Sequence, residues 1–287
     1  MKKHYYLIST DHLEDRIWFQ DEEDFKTAMN LIAVAVFVCG IRVLDFILMS
    51  NHVHFVVYAT REEAKQFIDY FKLLYSKYFR KRYGVAKFLR GNASDILILD
   101  GEESVERAIA YVEMNCVAAN ICVHPSQYPW GCGSVFYSQN KNVSKNLLEN
   151  MSQRAQIRLT HSKVKLPSDY RITAGGFIDP SSYIPVSFVE KLFKTPKRFQ
   201  YFLSSSSKAK SRLSEDAMPS FRDQVILSGI SDLLNTLFRK SSLSELIDRE
   251  KAELLKQLRY RFSADIAQLS RITGIPYMEA CCLIESY

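Results

Sequence analysis

Apolar positions along the chain change their period several times, and the changes mark the elements. His4–Ser9 reads as a strand. Glu22–Cys39 has helical spacing (Phe25, Met29, Ile32, Ala33, Val36) and stops at Gly40. Arg42–Met49 and His52–Tyr58 are β-rich runs separated only by Ser50-Asn51, which predicts a hairpin. Glu62–Tyr83 is an amphipathic helix: Phe67, Phe71, Leu74, Tyr75 and Tyr78 make one stripe. Gly84–Gly91 is a turn region and Ile96–Leu99 a short apolar run. Ser104–Ile121 is helical, with Ser104 as a plausible N-cap and Val105, Ala108, Ile109, Val112, Cys116 and Ala119 on one side. Pro125, Pro129, Gly131 and Gly133 end the regular structure. Strand, helix, hairpin, helix and helix in that order predict an α+β fold with an antiparallel sheet.

Past residue 140 the texture changes. Asn, Ser and Lys are frequent to about residue 165, and Ser204–Ser211 reads as a flexible connector. Phe221–Phe238 and Leu243–Phe262 read as helices. Two short helices then meet at Thr273–Pro276. Ser270, four residues before the turn Gly274, resembles a helix-turn-helix in which Tyr277–Ser286 is the recognition helix; a plain helical hairpin that packs or dimerises is the alternative. The pattern divides the chain into residues 1–140, an irregular extension over 141–212, and a helical region over 213–287.

Composition narrows the class. The longest apolar stretch, Leu31–Cys39, is far short of the ~20 residues that span a bilayer. No export segment is visible, and the six cysteines form no C-x-x-C pair, so a reducing cytoplasm is expected. The net charge of +6 is unevenly spread: residues 1–140 carry 15 Lys+Arg against 17 Asp+Glu, and residues 141–287 carry 23 against 15. One basic island interrupts the acidic half. Lys72, Lys77, Arg80, Lys81, Arg82, Lys87 and Arg90 lie between Tyr70 and Ser94 with no acid among them and rings interleaved. Cations for phosphates and rings for bases suit single-stranded nucleic acid, although most of these rings belong to the core stripe and the charges also fit a solvated helix face.

Two residue sets carry chemistry. His52 and His54 are i and i+2 on a strand, so both imidazoles point to one face, ~7 Å apart at the backbone, and form half of a metal site. Two structural histidines would give the same spacing. Tyr111 and Asn115 are i and i+4 on a helix, flanking its apolar stripe, where a tyrosine can be a covalent nucleophile and an amide oxygen a third ligand. Glu113 lies roughly 160° round the helix from Tyr111 and is not assigned as its base. His12 and His124 are spare.

Taken together, Met49–Val57, Tyr111–Ala119 and Pro125-x-x-Tyr128-Pro-Trp130-x-x-x-Ser134 resemble the HUH single-tyrosine transposases of the insertion-sequence type, nearest to their REP-associated tyrosine transposase branch. The resemblance covers roughly residues 1–140. It implies a ferredoxin-like sheet with helices on one face. It also implies that His52, His54 and Asn115 bind Mg²⁺ or Mn²⁺, for which Zn²⁺ competes by raw affinity. Tyr111 is then the nucleophile that opens single-stranded or hairpin DNA, giving a 5′-phosphotyrosine and a free 3′-hydroxyl. A homodimer in which the tyrosine helix serves either subunit is open. Cys116 departs from the family's Pro, Gly131-Cys132-Gly133 replaces Ser-Ser after Trp130, and Arg90-Gly91-Asn92 matches a Gly/Arg segment loosely. The competing readings are a domesticated DNA-binding regulator without catalysis and a cupin-type metalloenzyme. The basic C-terminal half and the helices between strands disfavour the latter.

Overall fold

The computed structural model describes residues 2–10, 17–85, 88–89, 94–119, 121–138, 146–206, 223–262 and 264–286. Four strands, β1 (His4–Ser9), β2 (Arg42–Met49), β3 (His52–Ala59) and β4 (Asp95–Leu99), form one antiparallel sheet in the order β2-β3-β1-β4. With α1 (Glu22–Cys39) after β1 and α2 (Arg61–Tyr83) after β3, this is the expected ferredoxin-like arrangement. The β2–β3 hairpin closes at Met49 opposite His52, as the two-residue gap requires.

Local chemistry sets the helix ends. Asp21 caps α1 by accepting from Asp24 N at 3.1 Å, and Gly40 closes it in the left-handed region at φ 59. Thr60 and Glu63 form a reciprocal capping box at the start of α2, and Gly84, at φ 71, ends it. α1 and α2 cover one face of the sheet. Phe55 of β3 points into that layer, its ring 5.1 Å from Phe67 and 5.8 Å from Phe71. Side chains alternate along a strand, so His52 and His54 point to the other face. There α3 (Glu102–Glu113) packs against β2 and β3.

The tyrosine helix differs from its sequence reading. It begins at Glu102, not Ser104, after Gly101 at φ 80, and no side chain caps it. It breaks at Met114 and resumes as the single turn α4 (Asn115–Ala118). Asn115 supplies the cause. Its Nδ2 donates to the carbonyls of Tyr111 and Val112 at 2.9 and 3.1 Å and competes with the backbone for them.

The stretch read as an irregular extension carries three helices: α5 (Gln153–Thr160), α6 (Val186–Phe193) and α7 (Pro196–Ser205). Leu148, Leu166, Tyr170 and Ile178 pack on Ala33 and Val34, the outer side of α1. That cover explains why α1 is apolar nearly all round. Asn30, buried in α1, pins it by donating to Leu159 O at 3.0 Å and accepting from Ile178 N at 2.8 Å. Phe193, Phe199 and Phe202 join the core that the sheet builds.

The C-terminal helices are α8 (Asp223–Leu233, continued by a π turn to Phe238), α9 (Asp248–Phe262), α10 (Ile266–Thr273) and α11 (Tyr277–Ser286). They have their own core around Leu254, Leu255, Leu258 and Leu269. The expected boundary at 212/213 lies outside the described residues. α10, Gly274 and α11 reproduce the expected helix pair, but α11 carries Glu279 and Glu285 and no Lys or Arg. Among the described residues no helix is long and apolar enough to cross a membrane. All six cysteines are free thiols.

Candidate active site

His54 lies on an interior strand, opposite Ser9 of β1 and Ile47 of β2, and is fully buried. His52, at the first position of β3, is half-buried. The two rings meet edge to face with centres 5.1 Å apart. α3 crosses above them and brings the half-buried Tyr111 ring to 5.6 Å from His54, again edge to face. Sheet and helix thus bring Tyr111 to the imidazole doublet.

The donor chemistry suits a cation. An ion about 2.1 Å from one nitrogen of each imidazole sets the ring centres about 5 Å apart, and the observed spacing is 5.1 Å. His52 Nδ1 donates to Asn51 Oδ1 at 3.0 Å, which fixes the tautomer with the lone pair on Nε2. Asn115 is buried one turn beyond Tyr111; because its Nδ2 serves helix carbonyls, Oδ1 is the atom suited to an ion. Among the described residues no three His, Cys, Asp or Glu side chains group as a metal cage, so two imidazoles and an amide oxygen are the set to consider.

Beside this set lies a pair that sequence reasoning missed. Asp45 of β2 shares the His54 face and is completely buried. Glu113, at the end of α3, is buried against it. Burial pushes the Asp45 carboxyl up to about 7, although hydrogen bonds with Glu113, Cys132 and the Phe46 backbone N–H pull it back. Burial first and the Asp45 charge second hold Glu113 well above the carboxylate range. Two such acids in contact share a proton. Gly131, Cys132, Gly133 and Cys116 line this spot. A Cβ on Gly133 would sit 2.5 Å from Glu113 Oε2, and one on Gly131 would sit 2.9 Å from Phe46 O, so neither position has room for a side chain. The Cys116 and Cys132 thiols are buried and pushed up. The readable signal was an acid inside the apolar run Val43-Leu44-Asp45-Phe46-Ile47.

The basic island divides. Lys72 is buried, 3.0 Å from Asp69. Arg82 is committed to Asp21, to Asp24 at 2.5 Å and to Tyr78 at 2.9 Å. Lys77, Arg80 and Lys81 are exposed. Lys87 and Arg90 lie outside the described residues, as does His12. Phe67, Phe71, Tyr75 and Tyr78 are buried, as the stripe predicted. Because α2 covers the face opposite Tyr111, a strand touching both the exposed cations and the tyrosine must pass the edge of the sheet. His124 caps the short turn Pro125–Gln127.

By sequence, the chain matches no protein family and no curated protein. It is similar to a solved structure of a REP-associated tyrosine transposase bound to a REP hairpin, with a TM-score of 0.37 and 8% identity over 60% of this chain and 93% of that one. Likeness at that level leaves the site to be argued from this chain's own residues.

Proposed function

We propose that this protein cleaves and rejoins single-stranded, hairpin-forming DNA through Tyr111, with His52, His54 and Asn115 holding a divalent cation, Mg²⁺ or Mn²⁺. The observation that supports it is the 5.6 Å contact between the Tyr111 and His54 rings, which joins a phenol to an imidazole doublet distant in the chain. When bound, the cation polarises a non-bridging phosphate oxygen and offsets the charge that builds on it.

Tyr111 Oη attacks phosphorus and forms the Oη–P bond as the P–O3′ bond breaks. The phenol's proton leaves and the departing 3′ oxygen gains one, so the products are a 5′-phosphotyrosine and a 3′-hydroxyl. A second 3′-hydroxyl reverses the step and joins a new end. The bond energy is kept in the phosphotyrosine, so no nucleotide cofactor is needed. Asn51 holds the His52 ring in one tautomer, and α3 holds the phenol over the His54 edge.

The test is incubation with hairpin-bearing single-stranded DNA and Mn²⁺, read on denaturing gels. A covalent protein–DNA band that Tyr111→Phe removes is the expected result. Hairpin binding with no such band across several hairpins would instead identify a DNA-binding regulator.

A further inference from the structure

The cations that the sequence offered for DNA lie on α2, across the sheet from the proposed nucleophile. The Tyr111 side has its own. Arg107 is one turn before Tyr111 on α3, so the two side chains lie about 40° apart on one helix face. Together they line a groove of about 350 Å³ between α3, the sheet and α7, walled also by Leu7, Leu99, Phe202 and Ser205. That volume is in the range that holds a small ligand.

α7 is locked against α3 at this groove. Arg198 donates from Nε and Nη2 to the buried Glu106, both at 2.6 Å. The Phe202 ring lies 5.1 Å from the Arg198 guanidinium and 6.0 Å from that of Arg107. Arg107 also pairs with Glu103 at 2.6 Å, but both side chains are more than half exposed, at 67% and 62%. Exposed i,i+4 pairs are weak and exchange readily for a stronger anion. Arg107 is therefore aimed along the groove by an aromatic face and held by a replaceable partner.

We propose that this groove seats one nucleotide of the cleaved DNA strand, with Arg107 binding the phosphate next to the scissile one and the Leu7–Leu99 wall receiving sugar and base. The inference rests on the strand-transfer reading and adds to it a wall, α7, from outside residues 1–140. A guanidinium meets phosphate with two parallel hydrogen bonds, which a lysine ammonium supplies only as a point charge.

The test compares the wild-type protein with Arg107→Ala, Arg107→Lys and Phe202→Leu on a single-stranded oligonucleotide, reading adduct rate, salt dependence of binding and melting temperature. Arg107→Ala is expected to slow adduct formation at subsaturating DNA about tenfold to a hundredfold. Its slope of log K against log salt should fall by ~0.7, the loss of one phosphate contact. Arg107→Lys should recover the slope but only part of the rate, and Phe202→Leu should fall between. Melting temperatures should match the wild type. Unchanged rate and slope in Arg107→Ala overturn the assignment, as does an equal loss in Ala and Lys variants accompanied by a lower melting temperature. If the wild type forms no adduct, strand transfer fails. The salt slope still judges Arg107: a drop upholds the nucleotide seat and an unchanged slope ends it.

Discussion

Asp45 and Glu113 show how much one buried proton decides. With both carboxyls in contact inside a dry layer, the folded protein binds a proton that the unfolded chain releases near its ordinary 3.8. Between 3.8 and about 7 the folded state therefore holds more protons, and stability falls as pH rises through that window. Asp45→Asn replaces the shared proton by an amide that donates at every pH. Its melting temperature should exceed the wild type's above pH 7 and vary less across the window; a parallel pH profile in the two proteins would count against proton sharing. His52→Ala tests the doublet itself. It should abolish the covalent adduct and leave hairpin affinity nearly unchanged, because phosphate contacts carry most of that affinity. Lost affinity with intact cleavage, read by gel shift beside the adduct gel, would remove His52 from the chemistry. The doublet and Tyr111 were legible because period-2 and period-3.6 arithmetic fix their faces. The acid pair was not, because its partners come from different elements and no spacing links them.

Elements whose ends are set by neighbouring residues could be read from the chain. Gly40 and Gly84 stop α1 and α2 because each takes the left-handed conformation that ends a helix, and the Ser50-Asn51 gap sets the hairpin register. The tyrosine helix misled at both ends. Gly101 starts it through backbone conformation alone, and the Asn115 side chain breaks it by taking two carbonyls. Residues 146–184 were unreadable for another reason: their order comes from isolated bridges, Leu147 with Arg171 and Ile172 with Ile178, and from burial against α1. Asn30 is the residue that couples this cover to the helix. Removing its amide leaves Leu159 O and Ile178 N without a partner in a largely dry layer, so Asn30→Ala should cost about 2–4 kcal/mol. Chemical denaturation measures it, and a loss under half a kcal/mol would mean that water replaces the amide.

At the scale of the whole chain, the C-terminal helices meet the sheet domain at the β2–β3 turn. Asp223, at the start of α8 and buried, accepts from Ser50 Oγ, from Gln268 at 2.8 Å and from Arg271 at 2.7 and 3.0 Å. Ser50 O in turn accepts from Trp18 N and Phe19 N, and Gln224 donates to Phe19 O. Ser50 is two residues before His52, so the contact that seats the C-terminal helices also holds the turn from which the imidazole doublet emerges. Burial raises the Asp223 carboxyl, but the charge and hydrogen bonds of Arg271, with those of Ser50 and Gln268, outweigh it and keep it below 3.8. Its stabilising share is therefore present above 3.8 and is lost as pH falls through the lower folded value. Asp223→Ala leaves the half-buried Arg271 without its anion and should cost about 1–3 kcal/mol, since one partner of the broken pair was fully buried. Two readouts separate anchoring from mere stability. Limited proteolysis should cut near the junction before α8 faster than in the wild type, and adduct formation should slow although every proposed catalytic residue remains. A variant that melts lower yet cleaves DNA at the wild-type rate would show that the turn keeps its shape without the C-terminal helices, and that the two halves are joined but not coupled.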